Sequence, residues 1–180
     1  MNAMNETEFA SLARNLSWIL CDVDGVLTDG NLYYGSHGQT IRFNVKDGLG
    51  LKLARRAGLR VGVLSGRNSI ALQRRAEELS LDAVIVGRSD KGPAFDEFLD
   101  HHSVTAGSVA FIGDDLPDRV VMNRCALSFC PSDAVEEVRH IADRILDAPG
   151  GMGAAREMVE LLLRARGDWE DALSQFPTDG

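Results

Sequence analysis

The chain has 180 residues, 44% of them apolar, and a formal net charge of -8. That length makes one compact domain the default and allows a core of useful size, while the acidic balance argues against nucleic acid or an anionic membrane as partner. No stretch is long and apolar enough to span a bilayer, residues 1–10 carry acids where a signal peptide would be basic and apolar, and three cysteines without metal-ligand spacing (Cys21, Cys125 and Cys130) point to a reducing cytoplasm.

In chain order, residues 5–15 read as a short leading helix and the apolar run ending at Leu20 predicts a buried strand over 17–22. The β-rich segments 32–34 and 40–44 flank Gly35-Ser36-His37-Gly38, which predicts a hairpin with a four-residue turn. A helix over 48–57 offers Leu49, Leu51, Leu53 and Ala54 for burial and ends at Gly58, a plausible C-cap. Strand 61–64, helix 68–79, strand 82–86, helix 91–101, strand 108–112, helix 117–123, a short strand at 126–129, and helices at 132–142 and 153–166 complete the series. Strand alternating with helix predicts a three-layer, Rossmann-like α/β fold with a parallel sheet and a hairpin insertion after the first strand. The whole chain, 1–180, reads as a single domain with its core at about 16–166 and loosely held ends at 1–15 and 168–180.

Three strand ends and one helix start carry the residues of interest. Cys21-Asp22-Val23-Asp24-Gly25 closes the first strand, and the glycine lets the chain turn at once. Sheets of this kind hold ligands at such ends. Asp22 can attack a phosphorus, Asp24 can protonate the leaving oxygen, and the two together can hold a divalent metal through hard oxygen ligands. Ser65-Gly66-Arg67 closes a second strand, Lys91 opens a helix, and Gly113-Asp114-Asp115-Leu116-Pro117-Asp118 closes a third strand. Each has a plainer reading: strand-end Asp or Ser as a helix cap, Lys91 as a solvated lysine, Asp115 and Asp118 as turn formers, Arg67 as a surface residue. An anionic substrate on so acidic a chain needs local positive charge, which Lys46, Arg67, Lys91 and a metal can supply.

The order of these pieces resembles the four motifs of the haloacid dehalogenase-like phosphatases. The resemblance is closer still over residues 16–166, where Asp22 to Gly30, Phe43 to Gly48, Ser65 to Arg67, Gly113 to Asp118 and Pro149 to Glu157 look like the capless 3-deoxy-D-manno-octulosonate 8-phosphate phosphatase group. Neither the gap from Asp24 to Ser65 nor that from Ser65 to Lys91 has room for a cap domain. The resemblance implies a Mg²⁺-dependent phosphatase that works through an aspartyl-phosphate on Asp22. Asp22, the main-chain carbonyl of Asp24, and Asp114 would be the metal ligands. Asp115 or Asp118 would touch the metal directly, through water, or orient Lys91. Asp24 would be acid and then base, Ser65 and the amide of Gly66 would hold phosphoryl oxygens, and Lys91 would neutralise the aspartyl-phosphate. Gly66, Arg67 and Lys46 would contact substrate. The resemblance also implies a homotetramer in which residues 32–43 pack at a neighbour's site. A phosphatase of nine-carbon ulosonate 9-phosphates and a non-catalytic phosphatase-like interaction domain stand as alternatives. Met152 departs from the family, which often carries arginine in this glycine-rich stretch.

Overall fold

The computed structural model describes residues 4–35, 38–174 and 176. Asn5 caps α1 (Glu6–Asn15) by accepting the Glu8 amide, and that helix buries Phe9 and Ala13. Then come β1 (Trp18–Cys21), the hairpin strands β2 (Tyr33–Gly35) and β3 (Gly38–Thr40), α2 (Val45–Arg56), β4 (Arg60–Leu64), α3 (Ile70–Leu79) and β5 (Ala83–Ile85). The second half runs α4 (Lys91–His102), β6 (Val109–Ile112), α5 (Arg119–Met122), β7 (Leu127–Cys130), α6 (Glu136–Arg139), β8 (Arg144–Ile145), α7 (Ala154–Arg166) and α8 (Trp169–Ser174).

The sheet has six strands in the order β5-β4-β1-β6-β7-β8, all paired in parallel. A central parallel strand is covered on both faces, which is why β1 is apolar throughout and buried at every position. Side chains alternate between the faces. Ile19 and Cys21 join a layer with Leu51 of α2 and Val159 and Leu163 of α7. Trp18 and Leu20 face the other way, onto Phe95 and Phe98 of α4 and Val121 of α5. Each large aliphatic or aromatic side chain buried this way contributes ~1.5–3 kcal/mol. The three-layer, capless α/β fold with a hairpin after the first strand is thus the observed one.

Strand order places the site. From β1 the chain moves outward to β4 and β5, then crosses back to β6 on the other side of β1. The segments leaving β1 and β6 therefore part to opposite faces, and a crevice opens between their carboxyl ends. Asp22 follows β1 and Gly113-Asp114 follows β6 at the same level, since Cys21 pairs with Ile112.

Several local readings need correction. Gly35 and Gly38 pair with each other across the hairpin, so the ladder runs two residues further than a four-residue turn allows; Ser36 and His37 lie outside the described residues. The hairpin's second strand stops at Thr40 instead of continuing to 44, because Asn44 is spent as the cap of α2. The helix expected over 132–142 shrinks to Glu136–Arg139. Asp133 is drawn away to accept the Gly150 amide, and Asp143 accepts both the amide and the hydroxyl of Ser128, which sets up the short β8. The ends expected to be loose carry buried side chains: Phe9 meets Phe129 edge-on at 6.1 Å, and Trp169 packs under the Arg164 guanidinium at 4.5 Å. The ring of His102, in the last turn of α4, lies 4.5 Å from that of Trp18.

Candidate active site

The turn after β1 is a knot of short hydrogen bonds. The amides of Val26, Leu27 and Thr28 all donate to the carbonyl of Val23, at 3.3, 3.0 and 3.0 Å. The Thr28 hydroxyl donates to the same carbonyl and accepts from the amides of Gly25 and Gly30. Gly25 has φ 89°, a left-handed conformation that favours glycine, and a Cβ there would lie 2.0 Å from Oδ2 of Asp114. The knot thus holds the Asp22-Asp24 backbone and leaves room for an acid from the neighbouring strand.

Asp22 is 7% exposed, and its amide donates to the Ile112 carbonyl at 2.9 Å. Lys91, the first residue of α4, is 4% exposed and donates to Oδ1 of Asp22 at 2.6 Å and to Oδ1 of Asp118 at 2.5 Å. Asp118 is 1% exposed, and its other oxygen accepts the amides of Asp114 (3.0 Å) and Asp115 (3.3 Å). One carboxylate therefore both fixes the β6 loop and anchors the lysine. Asp115, which is exposed, instead caps the 3-10 turn Leu116–Asp118 by accepting the Leu116 amide. Between the two, it is Asp118 that stands in the cluster.

Asp22, Asp114 and Asp118 each present an oxygen, and these oxygens lie within 4.8 Å of one another. Oδ1 of Asp114 is buried and has no hydrogen-bond partner among the described residues. An orphaned carboxylate oxygen beside two more fits a small hard cation, which prefers all-oxygen ligands. Electrostatics agree. Burial, then the charge of Asp118, pushes the Asp22 carboxyl up to about 6 against the pull of Lys91. Burial and the charges of Asp22 and Asp118 push Asp114 up to about 8. Burial opposes the Lys91 ammonium, but the two carboxylates outweigh it and hold its pKa above the ordinary lysine value. The cluster carries more negative charge than one lysine offsets.

Ser65 and Gly66 close the second side. Ser65 is 1% exposed, its amide donates to the Ile85 carbonyl at 2.8 Å, and its Oγ accepts the Arg67 amide at 3.2 Å, which leaves the hydroxyl hydrogen available to donate. Arg67 reaches back over the mouth, its Nε 3.5 Å from Oδ2 of Asp24. These residues share one cleft of about 370 Å³ with Asp22, Lys91, Asp114, Asp115 and Asp118. Ser89 and Pro117 line it as well, and sequence reasoning missed both. Their places in the chain, close to Lys91 and Asp118, were the available signal. Lys46, expected at the substrate, is instead an exposed residue in the first turn of α2 and is not among the residues lining the cleft. Its neighbour Asp47 is the one turned inward, accepting the amides of Gly153 and Arg156 at the start of α7.

Met152 belongs to a glycine-rich turn that packs against the loop after β1. The Gly151 amide donates to the Val26 carbonyl at 2.8 Å, and a Cβ on Gly150 would lie 1.9 Å from the Gly25 carbonyl oxygen.

No protein-family model matches the chain. It is 41% identical over 154 residues to the 3-deoxy-D-manno-octulosonate 8-phosphate phosphatase KdsC of Haemophilus influenzae, covering 85% of this chain and 86% of that one. Its fold superposes with a TM-score of 0.91 on a probable YrbI family phosphatase from Pseudomonas syringae pv. phaseolica, at 38% identity and over 94% and 97% of the two chains. With the 3-deoxy-D-manno-octulosonate 8-phosphate phosphatase of Moraxella catarrhalis, solved in complex with magnesium ion, phosphate ion and a KDO molecule, the TM-score is 0.92 at 33% identity, over 96% of this chain and 100% of that one.

Proposed function

We propose that this chain, which belongs to the 3-deoxy-D-manno-octulosonate 8-phosphate phosphatase family, is a Mg²⁺-dependent phosphoric monoester hydrolase acting on 3-deoxy-D-manno-octulosonate 8-phosphate. The observation that supports this reading best is a buried nucleophile candidate, Asp22, held by Lys91 beside the orphaned oxygen of Asp114. When bound, Mg²⁺ offsets the repulsion between a phosphate dianion and these carboxylates. Asp22, Asp114 and the main-chain carbonyl of Asp24 would hold it.

The rest of the chemistry belongs to the chain. A carboxylate oxygen of Asp22 attacks phosphorus as the bond to the sugar oxygen breaks, forming an aspartyl-phosphate. Asp24 gives its proton to the leaving alkoxide. It then takes a proton from the water that attacks the same phosphorus, which releases phosphate and restores Asp22. The Ser65 hydroxyl and the Gly66 amide donate to phosphoryl oxygens, and Lys91 balances the added charge. Asp118 keeps Lys91 in place. Arg67 takes the substrate carboxylate, because Lys91 is already engaged by Asp22 and Asp118.

The same reading makes the protein a cytoplasmic homotetramer. Cys21, Cys125 and Cys130 are free, in keeping with a reducing compartment. Leu32, Tyr33 and Tyr34 stand 42%, 44% and 74% exposed on and before the hairpin, an apolar surface suited to a neighbouring subunit. The deciding experiment is steady-state turnover with Mg²⁺ on a panel of 3-deoxy-D-manno-octulosonate 8-phosphate, a nine-carbon ulosonate 9-phosphate and a simple sugar phosphate. The eight-carbon substrate should show the highest kcat/KM. A higher value for the nine-carbon one, or no turnover of any, would reject the assignment.

A further inference from the structure

Among the described residues lining the cleft, the cations are Lys91 and Arg67. Lys91 is buried and spent on Asp22 and Asp118. Arg67 is engaged differently. Its side chain is 47% exposed at the mouth, and its Nε lies 3.5 Å from Oδ2 of Asp24, whose side chain is 29% exposed. At that separation the pair is a charge contact, longer than the ~2.7–2.9 Å of a charge-assisted hydrogen bond. Asp24 is thereby paired with a half-exposed arginine in the same cleft as the buried Asp22.

We infer that Arg67 is a latch on Asp24, which the carboxylate of the substrate releases. This rests on the sugar-acid reading of the site. A guanidinium binds one carboxylate best when two of its N–H groups donate in parallel. The loose contact to Asp24 yields to such a grip from an incoming acid, and Asp24, released from the ion pair, takes a proton from water and is free to turn to the leaving oxygen. Specificity follows in the chemical step as well as in binding. A phosphate ester without a carboxylate leaves Asp24 on Arg67, and its alkoxide departs poorly assisted. An acid-bearing ester unlatches the group that protonates it.

The latch gives opposite signs for two substrates. Exposed ion pairs are worth at most about 1 kcal/mol, a factor of about five. Arg67→Gln should therefore raise kcat on D-glucose 6-phosphate, a carboxylate-free alkyl ester, by about two- to fivefold. The same change should lower kcat/KM on 3-deoxy-D-manno-octulosonate 8-phosphate by about tenfold or more, as one desolvated charged contact is lost. Arg67→Lys, which keeps charge without the planar fork, should give a smaller rise on the glucose ester, and it preserves the test if the glutamine variant folds poorly. A kcat on glucose 6-phosphate that is unchanged or reduced in both variants overturns the latch while leaving the sugar-acid assignment intact. A wild-type enzyme with no preference for the acid-bearing ester overturns that assignment itself, and the releasing half of the latch with it.

Discussion

Thermal stability should depend on Mg²⁺ more steeply as pH rises, and the structure sets the size of the effect. Burial and neighbouring charge raise the Asp114 carboxyl from 3.8 to about 8 and that of Asp22 from 3.8 to about 6. Above pH 4 the metal-free fold therefore binds more protons than the unfolded chain does. Its stability falls as pH rises through the raised values. Between pH 6.5 and 8 Asp22 is largely ionised and Asp114 alone titrates. At ~1.4 kcal/mol per pH unit, the metal-free protein loses about 2 kcal/mol over this window. For a chain of this size that is about 4–8 °C in Tm. A bound dication keeps both carboxylates ionised in the fold and removes the loss. The assay is differential scanning fluorimetry at fixed protein concentration, in chelator and in saturating Mg²⁺, at pH 6.5 and 8. His102, held below the ordinary histidine range by burial, and Asp47, pushed up by burial, also titrate with folding. Both lie apart from the acidic triad and cancel in the difference between the two buffers. The Mg²⁺-dependent rise in Tm should be about 4–8 °C larger at pH 8. An equal rise at both pH values would refute the claim that these carboxylates are destabilising without a cation.

Asp22→Asn should cut turnover at least a hundredfold, about 2.7 kcal/mol of barrier, with the fold retained because it removes one acid from a crowded cluster; ester hydrolysis and circular dichroism check both halves. Turnover in chelator should vanish and return with Mg²⁺, with Ca²⁺ a poor substitute because its looser, higher-coordinate shell would shift the acidic side chains around it. Gly150→Ala should lower stability by about 1–3 kcal/mol and impair activity, because the new Cβ would meet the Gly25 carbonyl oxygen at 1.9 Å and that backbone has little room to move; denaturant melts report the first effect, and kcat the second. Light scattering should give four chains per particle, and a fully active monomer would remove the role proposed for the hairpin's exposed Tyr33 and Tyr34.

The parts of the site that were legible are the parts that are local. An apolar run followed by Asp22-Val23-Asp24-Gly25 announces a strand, its end and two acids, and the structure places them there. Ser65 and Lys91 were equally plain, being the residues that end a strand and open a helix. What depended on tertiary distance was not. Asp115 and Asp118 look alike in a turn, and only the approach of Lys91 from α4 separates the exposed cap from the buried anchor. Lys46 and Asp47 are adjacent on one helix, so a small rotation decides which faces inward; the buried carboxylate that caps α7 took that place. Asp133, at the start of the expected helix 132–142, and Asp143, just past its end, have partners far along the chain, at Gly150 and Ser128, and those contacts outweigh helical propensity.

The acidic cluster is costly, and the fold holds it through hydrogen bonds made by main-chain amides. Three carboxylates within 4.8 Å share one lysine, so at neutral pH their mutual repulsion favours either a proton or a dication. Asp22 is fixed by its amide on Ile112, and Asp118 by the amides of Asp114 and Asp115. The turn that bears Asp22 and Asp24 is held from below by the Gly151 amide on Val26. Glycine is required where these segments converge: a Cβ on Gly25 would strike Asp114, one on Gly113 would strike Asp118, and one on Gly150 would strike Gly25. The backbones thus approach closely enough to force the acids together, and the strain this creates is electrostatic. In a site built this way the backbone gathers Asp22, Asp114 and Asp118, and the binding energy that would otherwise gather those three charges is available for the reaction.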